Sequence, residues 1–257
     1  MAVMLEVRSL EKRFDGLRAV NELSFDVNEG EVLGIVGPNG AGKTTAINLI
    51  SGTIAPTAGR VFYRGEDITG MAPHVLVQRG IVRTFQATTV YRTRTVFENV
   101  WRGAFLQNFP GFWSAFLSTK AAHERRAQCE IWVKEVLGWL NLTAVADLQA
   151  GSLPYGIQKT LGLAIAVAAR PTLIMLDEPV AGLSAEESER VREAILNIKK
   201  RGITIITIDH NMRFMSGLCD RILVMHHGQE LAIGAPREVL SNPAVVEAYL
   251  GKGYVAA

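Results

Sequence analysis

Gly37-Pro38-Asn39-Gly40-Ala41-Gly42-Lys43-Thr44-Thr45 is the stretch whose reading decides the fold. Before it, Glu31 to Val36 reads as a short strand rich in Val, Leu and Ile; after it, Ala46, Ile47, Leu49 and Ile50 recur at helical spacing. A glycine-rich turn that leaves an apolar strand and opens a helix is a phosphate cradle. Gly37, Gly40 and Gly42 permit backbone angles closed to other residues, so that successive amides can point inward at an oligophosphate. The helix adds its positive end. Lys43 is a compact cation for the terminal phosphates, and the Thr44 hydroxyl is placed to ligate Mg²⁺.

The chain has 257 residues, of which 48% are hydrophobic, enough for one large α/β domain or a core with a subdomain. A formal charge of +2, with 27 basic against 25 acidic residues, is too mild to suggest a nucleic-acid partner. Cys129 and Cys219 lack metal-ligand spacing and read as reduced, packed thiols of a cytosolic protein. The amino terminus carries no basic region followed by a long apolar run, and the most apolar helical stretch, Leu161 to Ala169, is far too short for a membrane span. The expectation is a protein soluble by itself, associated with a membrane only through a partner.

Residues 1–30 read as antiparallel strand material, with Leu5-Glu6-Val7 one short stretch and Leu23, Phe25 and Val27 alternating with polar neighbours. Phe14 is expected in a polar loop between them, either stacked on a base or folded back on the sheet. Arg60 to Gly65 and Gly80 to Phe85 read as further strands, the second ending at Gln86, a solvated loop residue or a neutral oxygen ligand at a metal's water shell. Residues 88–157 turn helical. Trp101, Phe105, Phe109, Phe112, Trp113 and Phe116 crowd there, as core or as a docking surface, and His123 opens a charged helix carrying Ile131, Val133, Val136, Leu137 and Leu140.

Pro171 to Glu178 reads as a strand buried on both faces, with Asp177 and Glu178 at its carboxyl end, where open α/β sheets bind ligands. Buried carboxylates need a cation, and Mg²⁺ is the expected one. Ser184-Ala185-Glu186-Glu187 is a capping box opening an amphipathic helix that ends at Arg201-Gly202. The strand Gly202 to Ile208 delivers Asp209 and His210 to the same edge, His210 being a functional or a structural histidine. Arg221 to Met225 and Glu230 to Ile233 read as a hairpin before a helical tail.

This order of motifs resembles the ATP-binding-cassette ATPases over essentially the whole chain. The resemblance implies a P-loop (RecA-like) α/β fold: a mostly parallel sheet, an N-terminal antiparallel β subdomain and an inserted α-helical subdomain. It divides residues 1–257 into a nucleotide-binding core (1–87 and 158–240), a helical subdomain (88–157) and a tail (241–257). By the same resemblance Phe14 stacks on adenine, Gly37 to Thr45 is the Walker A loop, and Gln86 is the Q-loop glutamine. Asp177 is the Walker B ligand of Mg²⁺, together with Thr44 and Gln86; Glu178 is the general base and His210 the switch histidine. Arg83-Thr84-Phe85-Gln86, the long insert after Asn99, Tyr155-Gly156, Ala181-Gly182-Leu183 and Ala248-Tyr249-Leu250-Gly251 look like the ATPase subunits of branched-chain amino-acid importers. The lipopolysaccharide-export ATPase shares several of these but lacks so long an insert.

Two positions depart from the family pattern. Leu153-Pro154-Tyr155-Gly156-Ile157 stands where Leu-Ser-Gly-Gly-Gln is usual, and Pro154 offers neither a hydroxyl nor a backbone donor. The helix starting near Gly156 is still expected to aim its positive end at the phosphate of a second subunit, with Tyr155 and Gly156 as the trans contact. Ser184 stands where aspartate is usual. The implied function is Mg-ATP hydrolysis driving solute import, with ATP between two cassettes, membrane permease subunits as direct partners and a solute-binding protein as an indirect one, at the cytoplasmic face of the inner membrane. A cassette acting on DNA or ribosomes would need coiled coils, zinc modules, two fused cassettes or a basic face, none of which the sequence contains. A P-loop kinase fits Glu178 and His210 less well than water activation does.

Overall fold

The computed structural model describes residues 2–84, 90–108 and 120–250. Gln86, Phe109, Phe112, Trp113 and Phe116 lie outside the described residues.

A four-stranded antiparallel sheet, order β2-β1-β4-β5, is built from β1 (Val3–Phe14), β2 (Leu17–Asn28), β4 (Ala58–Tyr63) and β5 (Glu66–Asp67). The first strand corrects two expectations. The Leu5-Glu6-Val7 stretch is part of a twelve-residue strand, and Phe14 is its last residue, paired with Leu17, rather than a loop residue. Register shifts between Val7 and Leu10, where Ser9 has a left-handed φ of +43°, break the strict alternation that would have marked so long a strand.

The second sheet contains β3 (Val32–Val36), β6 (Ile81–Arg83), β7 (Leu173–Asp177), β8 (Thr204–Ile208), β9 (Arg221–His226) and β10 (Gln229–Gly234) in the order β10-β9-β3-β8-β7-β6. All its neighbours pair in parallel except β9 with β10. Every residue of β3, β7 and β8 is buried, as continuous apolar runs require. Alternate residues point to opposite faces. Leu33, Ile35, Leu173, Met175, Ile206 and Ile208 pack with the antiparallel sheet and α1 (Lys43–Ile50). Val32, Val36, Ile174, Leu176 and Ile205 pack against helices on the other side.

Those helices include α3 (Val96–Asn108), α4 (Lys120–Trp139), α5 (Tyr155–Ala168) and α6 (Ala185–Lys199), while α2 (Pro73–Gln78) precedes β6. A Cβ at Gly103 of α3 would lie 2.3 Å from the Ile165 carbonyl oxygen of α5, so glycine sets how closely the two approach. The Trp132 indole donates to the Ala168 carbonyl at 3.0 Å and docks α4 on the end of α5. On α4, Val133, Val136 and Leu137 are buried as expected, but Ile131 is 59% exposed and belongs to the solvent face. Trp101 packs against the core and lies 5.3 Å from the Phe105 ring, which favours the core reading for that end of the aromatic stretch. Three short helices, α7 (Met212–Leu218), α8 (Pro236–Leu240) and α9 (Pro243–Leu250), complete the described chain, and none of its helices is long and apolar enough to cross a membrane.

Candidate nucleotide site

Because β3, β6, β7 and β8 run in parallel, their carboxyl ends share one edge, and the segments that follow them converge there. The loop after β3 is held from two sides. A Cβ at Gly37 would sit 2.2 Å from the Met225 carbonyl oxygen, and one at Gly42 would sit 2.3 Å from that of Ala19. Gly42 also has a φ of +97°, so it needs glycine for conformation as well as for space. The Gly228 amide donates to the Ala41 carbonyl at 3.0 Å, tying the β9–β10 turn to the cradle. Gly42 is the N-cap of α1 and has no side chain to cap it, and no acidic residue stands in the first turn. The helix's positive end is thereby left to an anion.

Lys43 folds back over this loop, its Nζ donating to the carbonyls of Gly37 at 2.7 Å and Pro38 at 2.9 Å. Half-burial lowers its pKa, and the Glu178 carboxylate pulls it back up. Asn39, Gly40 and Thr44 are exposed, with Pro38 and Thr45 half-buried and Ala41 buried beneath them. Backbone amides, one ammonium and an adjacent exposed hydroxyl form a donor set suited to a polyphosphate.

Asp177 closes β7 and is buried, and it has a protein partner that the sequence alone did not reveal. The Arg83 guanidinium, at the end of β6, donates from Nη2 to Asp177 Oδ2 at 2.9 Å, an ion pair that engages one of the two carboxylate oxygens. Glu178 is partly exposed and stands at a left-handed φ of +47°, its amide bonded to the Ile208 carbonyl at 2.8 Å. His210 is 67% exposed, with Nδ1 3.9 Å from Oδ1 of Asp209. Asp209 itself is buried, accepting the Asn211 amide at 2.9 Å, and burial pushes its pKa up.

Among the described residues no group of three or more His, Cys, Asp or Glu could hold a metal ion unaided. A small hard cation bound by phosphate oxygens needs only one or two protein oxygens, and the Thr44 hydroxyl in the first turn of α1 and the Asp177 carboxylate at the end of β7 are of the right chemistry for that.

Phe14 is 46% exposed at the tip of the β1–β2 hairpin, with the Lys12 ammonium 5.2 Å from its ring centre. The same hairpin carries Ala19 against Gly42, which brings the exposed ring to the cradle's side of the molecule. On α5, Pro154 is the N-cap and Tyr155 is 46% exposed, whereas Gly156 is buried. A Cβ at Gly156 would lie 3.0 Å from the Glu187 carboxylate, and the Gly156 amide helps to hold that carboxyl below its ordinary pKa, after the larger effect of Ser184. Within one chain, therefore, the α5 amino terminus already faces an anion of its own.

The ion pair of Arg83 with Asp177, the buried state of Asp209 and the Glu187 contact escaped the sequence reading, which had Arg83 only within a motif of the resemblance. No local spacing flags the first, because Arg83 and Asp177 meet only through the pairing of β6 with β7. The placement of Tyr249, named above only in the terminal motif, is likewise tertiary: its hydroxyl is buried toward the Gly37 backbone, and burial raises its pKa to about 12.

Residues 20–181 match the ABC transporter family, and residues 229–255 match the branched-chain amino acid ATP-binding cassette transporter family. The chain is 39% identical over 253 residues to the high-affinity branched-chain amino acid transport ATP-binding protein LivG of Salmonella typhimurium, covering 97% of this chain and 98% of that one. It is 36% identical to BraF of Pseudomonas aeruginosa, of the same description, over 97% and 98% of the two chains. The lipopolysaccharide export system ATP-binding protein LptB of Acidithiobacillus ferridurans is 34% identical over 98% of each. Among solved structures, the ADP conformation of MJ1267, an ATP-binding cassette of an ABC transporter, superposes with a TM-score of 0.86 at 32% identity, covering 98% of this chain and all of that one. With the parallel sheet, the glycine cradle and the carboxylates of the sheet edge in one chain, these likenesses establish it as a member of the ABC transporter family, an ATP-binding cassette that hydrolyses ATP.

Proposed function

We propose that the chain is the Mg-ATP-hydrolysing subunit of an importer for branched-chain or related amino acids. The observation that carries this reading is the likeness to LivG and BraF along nearly the full length, including the carboxyl-terminal segment 229–255. Two cassettes, either two copies or this chain with a related one, close around ATP bound between Gly37–Thr45 of one and Tyr155-Gly156 of the other. They dock on membrane permease subunits at the cytoplasmic face of the inner membrane, and a solute-binding protein delivers the solute. The core (1–87 and 158–240) carries the chemistry, the helical subdomain (88–157) transmits closure, and 241–257 is a tail; α5 (Tyr155–Ala168) runs unbroken across the junction at 157.

The chemistry needs little covalent work from the protein. Phe14 stacks on the base, and the amides from Gly37 to Thr45 orient the phosphates. Lys43 leaves the Gly37 and Pro38 carbonyls for the terminal phosphates and offsets their charge. Thr44, Gln86 and Asp177 would hold Mg²⁺, which when bound supplies further charge neutralisation. Glu178 accepts a proton from the attacking water, and His210 donates toward the γ-phosphate.

A purified Glu178→Gln variant should bind ATP as the parent does, hydrolyse it about a hundredfold more slowly or worse, and accumulate as a closed dimer. Near-normal turnover overturns the assignment of the base. In cells carrying that variant, branched-chain amino-acid uptake should fail while lipopolysaccharide export persists; the reverse pattern favours the activity named for LptB.

A further inference from the structure

Arg83 does more in this fold than end a strand. Its side chain is 8% exposed and its two terminal nitrogens face different elements. Nη2 donates to Asp177 Oδ2 at 2.9 Å, whereas Nη1 reaches Asn48 Oδ1 at 2.6 Å, Ser51 Oγ at 3.1 Å and Thr53 Oγ1 at 3.4 Å. Asn48 belongs to α1, and Ser51 and Thr53 follow directly from its end. One planar guanidinium thus joins the helix that opens with Lys43 and Thr44 to the carboxylate that closes β7. Lysine, with a single nitrogen, could not span both sides.

A buried ion pair of this kind adds little stability over a well-packed apolar pair, because desolvation offsets its attraction. Its effect is geometric. A carboxylate engaged through Oδ2 is restrained in its rotation, and Oδ1 is the oxygen this ion pair leaves for a cation.

We propose that Arg83 is a positioning residue for magnesium: it orients Asp177 and locks it in register with the helix that carries Thr44, so that the two protein oxygens meet one ion. The proposal rests on the Mg-ATP reading above. Groups that orient a metal ligand are commonly worth between ten- and a hundredfold in metal affinity.

The test uses the full-length chain and a fluorescent, non-hydrolysable ATP analogue, titrated first in EDTA and then with Mg²⁺ at fixed nucleotide. Arg83→Met should bind the analogue in EDTA within about twofold of the parent, because the cradle is untouched, while the Mg²⁺ concentration giving half-maximal tightening rises about tenfold. Arg83→Lys should fall between, and it serves alone if the methionine variant does not fold as judged by circular dichroism. An unchanged magnesium requirement, or equal losses with and without Mg²⁺, overturns the positioning role. If the parent itself shows no tightening with Mg²⁺, the Mg-ATP reading fails first and this inference with it.

Discussion

Glu178 occupies a backbone conformation that an L-residue adopts only at a cost of about 1–2 kcal/mol; its φ is +47°. Replacing it with glycine should relieve that strain and stabilise the nucleotide-free protein by about 1 kcal/mol while abolishing hydrolysis. Urea unfolding without Mg²⁺ would measure the gain, and a variant less stable than the parent would refute the idea of strain at the site. Asp209 makes a different residue-level statement. Its folded pKa is raised by burial above the ordinary 3.8, so the folded state binds the proton more tightly than the unfolded one. The favourable contribution is therefore complete below about pH 4 and is lost as pH rises through the folded value. Asp209→Asn keeps the acceptor for the Asn211 amide and should lack this decline, so the variant gains on the parent as pH rises from about 4 toward 7. Parallel stability curves across that window would count against it. Lys43, Asp177 and Glu178 were legible in the sequence because each lies in a contiguous motif. Arg83 was not, because its ion pair joins residues 94 positions apart, and only the pairing of β6 with β7 brings them together.

At the level of elements, α6 begins as its sequence predicts. Ser184 accepts the Glu187 amide at 3.2 Å, and Glu187 accepts the Ser184 amide at 3.0 Å. Ser184→Ala should cost about 1 kcal/mol, and Ser184→Asp should recover most of it, both read from the midpoint of urea unfolding at constant slope. A loss well below about 0.5 kcal/mol would mean that water caps the helix equally well. Legibility was poorer for β1. Its bulges interrupt the period of two on which strand reading depends, so a long strand with Phe14 at its end passed for a short one followed by a loop. Ile131 failed for the opposite reason: helical spacing marks a face, but the neighbours that cover it decide how wide the buried stripe is.

Across the whole molecule, the joint between the two sheets depends on a polar cluster. Arg221 of β9 donates to Asp26 Oδ2 and Glu31 Oε1, both at 3.2 Å, and Glu31, 4% exposed in its side chain, also accepts from the Asn28 amide and carboxamide. Arg221→Met would leave Glu31 buried without its cation and should destabilise the protein by about 3 kcal/mol, with Glu31→Gln in the same chain restoring much of that. Denaturant unfolding of the two single variants and the double variant checks this, and strictly additive losses would show that the pair does not interact.

The sequence by itself determined the order of the strands along the chain, the cradle, the carboxylates at the carboxyl end of β7 and the family, because each is written in neighbouring residues whose spacing repeats the geometry of a strand, a turn or a helix. Only the tertiary structure decided what neutralises Asp177, which anion faces Gly156, and how deeply Asp209 is buried. These depend on pairs far apart in the chain, and the free energy of a charged group is set by the neighbours that replace its water. Those neighbours are chosen by sheet order and helix packing, which no local spacing encodes.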